Sequence, residues 1–286
     1  TNVWIGYEPF YLAREINALD QDKVRLVEYT SSLPVLNAFR NGLLDVAALT
    51  LDESLVMTTQ IPDLTVVAVL DISNGADALL ARPNIHSISE LKNKAVAVEN
   101  LATGGYLLMR ALQHSGIALT DVTIQTEAAD RHERILDKGN VAAVVTYDPH
   151  KSQLLAAGMR SLFDSSQIPG EIVDVLVVRS QLLREKPTQL QHLLKAWFIA
   201  QGHLQRNRHD ALIKMQARQR LNAEQLNLSL TQLRFPSQQE NIALLTDPEK
   251  LSATTRLLQQ HMFHNGLLPN NKAPLLKLDA AWIIGR

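Results

Sequence analysis

Three stretches, 44–54, 94–105 and 141–149, each run from an apolar strand into a polar turn at the head of a helix, and they constrain the fold more than anything else in the chain. Val46–Leu49, Ala95–Val98 and Val141–Val145 are short apolar runs that end in Thr50, Glu99 and Tyr147. A continuous apolar run bounded by polar turn residues reads as a buried strand that delivers its polar end to one edge of a sheet. In open α/β sheets that edge is where ligands bind.

The same punctuation extends over residues 1–180, with Gly, Pro, Asn or Asp at the joins. It predicts strands at 2–7, 24–29, 44–50, 64–71, 77–82, 94–99, 121–126, 141–147 and 171–178. Helices are expected at 9–18, 33–41, 52–60, 88–93, 103–115, 130–138 and 148–157. Such alternation implies parallel sheets wrapped by helices. After Arg179 the pattern turns to helix only, at 181–186, 188–206, 208–219, 222–232, 237–246 and 248–264. The apolar stripe Leu190, Leu193, Leu194, Trp197 and Phe198 in that tail must pack on something, and the first sheet is the expected partner.

Two strands, 64–71 and 77–82, meet with only a polar kink between them, which is how a chain passes from one sheet to another. Strand 171–178 supplies the expected return. The chain is therefore read as an α/β protein of two lobes with a helical C-terminal tail on lobe 1. Lobe 1 comprises 1–72 plus 179–286 and lobe 2 comprises 73–178, with a double hinge near 71–77 and 176–180. Two lobes on a double hinge enclose a cleft that can close on a ligand.

Composition narrows the function. Twenty-eight basic residues against twenty-nine acidic ones, with no Lys/Arg run, argue against a nucleic-acid partner. No segment approaches the ~20 apolar residues of a membrane span. Cysteine is absent, which excludes disulfides, zinc–thiolate sites and thiol catalysis. The start at Thr1, without Met and almost directly in an expected strand, suggests a trimmed or processed product and says nothing about export.

Several motifs carry a family likeness. They are Trp4, Gly6, Tyr7, Pro9 and Phe10; Ser31, Ser32, Ala38, Phe39, Gly42 and Asp45; Asp71, Ser73, Gly75 and Asp77; Ser87, Glu90, Leu91, Lys92, Lys94 and Glu99; then Gly139, Val141, Ala143, Tyr147 and Pro149, and Phe163, Asp164, Pro169 and Gly170. In this order, over roughly residues 1–245, the chain resembles the solute-binding proteins of ABC importers, in the branch that takes nitrate, sulfonates, taurine, bicarbonate and thiamine precursors. The resemblance implies a type II periplasmic-binding fold, a periplasmic or cell-surface location, and an ABC permease or a membrane signalling protein as partner. A monomer is expected. Ligand-sensing domains, and enzymes of thiamine synthesis, share the scaffold; those enzymes need cysteines and a cofactor lysine, and this chain has no Cys.

The candidate ligand contacts follow from the strand ends. Ser31 and Ser32 precede a helix and either cap it or hold a ligand oxygen. Thr50 ends a strand and is the better contact there, with Asp52 a second candidate; a helix start favoured for dipole reasons would by itself explain Asp52 and Glu53, and is the preferred reading for Glu53. At the hinge, Asn74 and Asp77 flank Gly75, whose role is conformational. Glu99 with Thr103, Gly104 and Tyr106 offers a carboxylate, a hydroxyl, a close-approach backbone and a ring. Tyr147 and Asp148 end the eighth strand. Phe10 is expected to form an aromatic wall, with Trp4 in the core. His132, His203 and His209 fall on helices that read as solvated, no histidine pair has metal spacing, and neither a metal nor a cofactor is expected. Acidic candidates outnumber basic ones, which favours a small organic ligand with an amine, ring nitrogen or hydroxyls over a bare anion.

Overall fold

A computed structural model describes residues 1–268 and 276–284. Among the described residues ten strands form two sheets. They are β1 (Val46–Thr50), β2 (Leu64–Ser73), β3 (Asp77–Ala81), β4 (Ala95–Val98), β5 (Thr123–Thr126), β6 (Ala143–Tyr147), β7 (Arg160–Asp164), β8 (Val173–Arg179), β9 (Leu233–Arg234) and β10 (Lys277–Leu278). The first sheet has the order β1-β8-β2-β10, with β9 paired to the end of β2, and the second has the order β5-β4-β6-β3-β7. The helices are α1 (Glu8–Glu15), α2 (Ser32–Arg40), α3 (Leu51–Thr58), α4 (Thr103–His114), α5 (His132–Asp137), α6 (His150–Ala156) and α7 (Leu182–Glu185). Six more follow: α8 (Pro187–Arg206), α9 (Arg208–Gln219), α10 (Ala223–Thr231), α11 (Gln238–Thr246), α12 (Leu251–His264) and α13 (Ala281–Ile284).

The two-sheet α/β architecture read from the sequence is the one observed, but its pairing differs from the expected parallel form. β8 runs antiparallel to both β1 and β2, and β3 runs antiparallel to β6 and β7; only β4–β5, β4–β6 and β2–β10 are parallel. Antiparallel pairing arises because β8 and β3 are the strands on which the chain passes between sheets, so each enters its sheet without a helical crossover.

The expected strands at 2–7 and 24–29 do not form. Ile5–Tyr7 winds into a 3₁₀ turn that leads into Pro9 in the first turn of α1. Residues 24–29 alternate in burial, yet their backbone bonds to the N-terminal segment are Thr1 N to Val27 O and Tyr29 N to Thr1 O. A strand pattern without a ladder partner stays irregular. The helix expected at 88–93 is a 3₁₀ turn, Ile88–Leu91, and β7 was missed by the sequence reading. The tail is not purely helical either, since β9 and β10 both add to β2.

The stripe of α8, expected to rest on the first sheet, packs chiefly on α1 instead. Leu190, Leu193, Leu194 and Trp197 are buried, Phe198 is half-buried, and Trp197 meets Phe10 of α1 with ring centroids 4.4 Å apart. From α11, buried Asn241 accepts from Val69 N at 2.6 Å and donates to Val69 O at 3.0 Å, where the β2–β8 register slips. One amide side chain thus satisfies both backbone polar groups of a strand residue, on the stretch of β2 between the residues paired with β10 and those paired with β9.

The chain crosses between the sheets at 74–76 and again at 165–172. Because β8 belongs to the first sheet, the second crossing precedes it rather than lying near 176–180. Ser165 stitches the crossings together: its Oγ lies 2.7 Å from Ser73 Oγ and accepts from Gly75 N at 2.7 Å. Gly75 has φ 111°, a torsion that other residues resist.

Candidate functional site

Between the two sheets lies a cavity lined by strand ends and helix starts from both. Asn2, Trp4, Tyr7, Ser32, Thr50, Glu53 and Asp174 come from the side of the first sheet. Asp77, Glu99, Asn100, Thr103, Gly104, Val145, Thr146 and Tyr147 come from the side of the second. Its free volume is about 40 Å³, too little for an organic solute unless the walls part.

The local folding rules explain most of these positions. Thr50 caps α3 through a reciprocal pair in which Glu53 N donates to Thr50 Oγ1 and Thr50 N donates to Glu53 Oε2. Thr50 Oγ1 also lies 2.7 Å from Thr103 Oγ1 across the cavity. Gly104 lets α4 start against β4, since an added Cβ would come within 2.9 Å of Val98 Cβ. Trp4 and Tyr147 meet edge to face, with centroids 5.8 Å apart and planes at 80°.

Further bonds span the cavity. Leu33 N, at the head of α2, donates to Glu99 Oε1 at 3.1 Å, while Tyr147 OH donates to Glu99 Oε2 at 2.7 Å. Asn100 Nδ2 donates to both Ser32 Oγ and Glu53 Oε1, each at 2.9 Å. A helix N-terminus is a natural anion seat. Here the protein's own carboxylate fills it.

Electrostatically the cavity is acidic. Glu53, Asp77, Glu99 and Asp174 line it, and Asp52, Asp71 and Asp148 are buried nearby; among the described residues no lysine or arginine lines it. Buried Lys151 gives its ammonium to Gly75 O and Gln232 Oε1 rather than to a carboxylate. Burial pushes Asp77 up to about 7, aided by Asp52 and Asp148 and opposed by the Ser73 hydroxyl and Lys151. Burial and the neighbouring Asp52 push Glu53 up to about 7. Asp71 and Asp174, opposite one another on β2 and β8, are both raised well above the carboxylate range, chiefly by burial. Trp4 Nε1 donates to both oxygens of Asp71, and Tyr7 OH donates to Asp174 Oδ1. Left without any partner are Asp77 Oδ2, Asp174 Oδ2, Thr146 Oγ1 and Asn100 Oδ1, all buried on residues that line the cavity.

Of the sequence candidates, Ser32, Thr50, Asp77, Glu99, Thr103, Gly104 and Tyr147 line the cavity. Ser31 is buried behind Ser32, and Asp52 is buried behind Thr50 and Thr103. Asn74 is taken up by the crossing, where its amide donates to Gln232 O at 2.8 Å. Tyr106 turns away to donate to Glu171 at 2.5 Å, and Asp148 caps Ser152. Phe10 is core, stacked on Trp197, whereas Trp4 is the cavity aromatic. Phe10 departs from the expected wall because it lies on α1, which turns it onto Trp197, while Trp4 is buried in the core as expected and also lines the cavity. His132 is not solvated: it is fully buried, its Nε2 donates to Glu127 O, and it is lowered to about 4 by burial.

Glu53, read as part of a helix start, and Asn100, Thr146 and Asp174, not singled out from the sequence, also line the cavity. A signal existed for Asp174, an acid inside an otherwise apolar run at 172–178, and for Asn100, directly after Glu99 at a strand end. Among the described residues no cluster of His, Asp or Glu has the geometry to hold a metal ion.

Comparison with known proteins places this arrangement. The profile of the NMT1-like family matches residues 3–217. The chain belongs to the NMT1-like family. An aliphatic sulfonates-binding protein of Escherichia coli (strain K12) is 29% identical to this NMT1-like chain over 153 residues, which is 52% of the chain and 47% of that protein. The chain thus matches about half the length of that curated relative. The alkanesulfonate-binding protein of Xanthomonas axonopodis pv. citri, solved bound to MOPS, has the same fold at TM-score 0.79 and 19% identity, with 94% of this chain and 93% of that one covered. The periplasmic aliphatic sulphonate binding protein of Escherichia coli superposes at TM-score 0.75 and 19% identity, covering 97% and 93%.

Proposed function

We propose that this chain is an extracytoplasmic solute-binding protein for an ABC importer, which captures a small organic molecule between two lobes by hinge closure and releases it unchanged. The observation that carries this reading is the cavity between the sheets, walled from both sides and spanned by hydrogen bonds that part when the walls separate. Lobe 1 (1–73 with β8 and the residues after it) and lobe 2 (77–164) then move about the crossings at 74–76 and 165–172, stitched at Ser165. The names of its relatives support the role, an ABC permease as partner, and an exported, periplasmic or cell-surface location. The receptor acts as a monomer and without chemistry.

Titration calorimetry with a panel of small solutes, followed by mass spectrometry of the recovered ligand, tests this. The expected result is saturable one-to-one binding and a ligand of unchanged mass. A ligand recovered with altered mass contradicts binding without chemistry, and indifference to every solute contradicts the receptor.

A further inference from the structure

The cavity that the relatives' names associate with sulfonates is, in this chain, built for the opposite charge. An anion entering it would meet four lining carboxyls and, among the described residues, no lining cation. It would also find the head of α2 taken, because Glu99 Oε1 already accepts from Leu33 N at 3.1 Å. Of the unmet polar atoms that line it, three are carboxyl or amide oxygens and the fourth is a hydroxyl. Asp77 Oδ2 and Asp174 Oδ2 have no partner, and their side chains are at least nine-tenths buried in the cavity wall, at 6% and 2% exposure. Thr146 Oγ1 and Asn100 Oδ1 are unmet beside them.

Buried acceptors without donors are costly, and in a native site they mark a missing donor. The two free carboxyl oxygens come from opposite sides, Asp174 from β8 of the first sheet and Asp77 from β3 of the second. A group that bonds both would draw the sheets together. The edge-to-face pair of Trp4 and Tyr147 adds aromatic surface to the same cavity, which suits a flat or delocalised cation.

Resting on the receptor reading above, we propose that the cleft takes a compact organic cation with at least two N–H donors, of the amidinium, guanidinium or protonated amino-heterocycle class. The donors bridge Asp77 Oδ2 and Asp174 Oδ2 across the cleft, the face of the cation lies against Trp4 and Tyr147, and small anions are excluded. The raised carboxyls fit this account, because a group held neutral in the empty site ionises when a cation arrives, so uptake near neutral pH releases protons.

The test is calorimetry of the full chain with three cations (benzamidine, phenylguanidine and 4-aminopyridine) and three anions (benzoate, ethanesulfonate and nitrate). At least one cation is expected to bind and none of the anions. Asp174→Asn and Asp77→Asn keep the side-chain shape and are each expected to weaken that cation by about 10- to 100-fold, the range for a lost charge-assisted bond. Glu90→Gln, on the exposed surface, leaves affinity unchanged. Thermal unfolding of the ligand-free variants confirms that they fold. Anion binding without cation binding overturns the cation assignment and leaves the receptor reading standing, whereas indifference to all six overturns both. Cation affinity that survives both aspartate substitutions within twofold overturns the bridging geometry.

Discussion

Asp77→Asn converts the buried acid of the cleft into a measurable dependence of stability on pH. In the folded chain the carboxyl holds its proton up to about 7, against a usual value near 3.8. Below pH ~4 both folded and unfolded chains carry that proton, so the group costs the fold nothing. As pH rises from about 4 to about 7 the unfolded chain releases the proton while the folded chain retains it, and stability falls. Above about 7 the loss is complete. Each pH unit in that window is worth about 1.4 kcal/mol, so between pH 5 and pH 7 the native chain loses about 3 kcal/mol through this residue alone. Asparagine abolishes the dependence, while its own amide adds a cost that does not vary with pH. The difference in unfolding free energy between Asp77→Asn and the native chain therefore moves in favour of the variant by about 3 kcal/mol from pH 5 to pH 8. Urea unfolding at pH 5, 6, 7 and 8, with the slope checked for constancy, measures it. A difference that stays flat across this range refutes the argument that Asp77 is buried without a compensating cation.

Three further substitutions probe the framework. Gly6→Ala places a Cβ onto Asp71 Oδ2 and Trp4 Nε1, so it should destabilise by about 3 kcal/mol or more and shift the emission of Trp4, read by urea unfolding and fluorescence. Asn241→Ala strands the buried amide and carbonyl of Val69 and should cost about 2–4 kcal/mol in the same unfolding assay; a loss under about 1 kcal/mol would mean that water replaces the side chain. Glu99→Ala empties the head of α2, so sulfate should raise the melting temperature of the variant more than that of the native chain, and equal responses would show that Glu99 does not occupy that seat.

The sequence revealed the site where chemistry and local folding coincide. Thr50, Glu99 and Tyr147 end apolar runs, and each reaches the cavity because a strand end has few other places to point. Asp71 and Asp174 carry a signal of the same kind, a carboxylate within a buried run, but only the β2–β8 register shows that they face one another. Strand order is a long-range property, which is why the antiparallel pairing and the place of β8 escaped a reading based on alternation. Residues 24–29 have the pattern of a strand and lack its partner. Phe10 left the expected wall for a smaller reason: it lies on α1, whose helical period turns it onto Trp197, while Trp4 stays buried as expected and also reaches the cleft.

The central claim is that two halves of this chain part and close around a small guest. Because the chain has no cysteine, Gln60→Cys on the first half and Asp137→Cys on the second, both exposed, give a unique pair of spin-label sites. Pulsed electron spin resonance of the doubly labelled chain reports the distance between them, alone and with each of the six solutes. The account predicts a longer, broader distribution in the free protein that shortens and narrows with at least one solute. A single distance, indifferent to all of them, would contradict it.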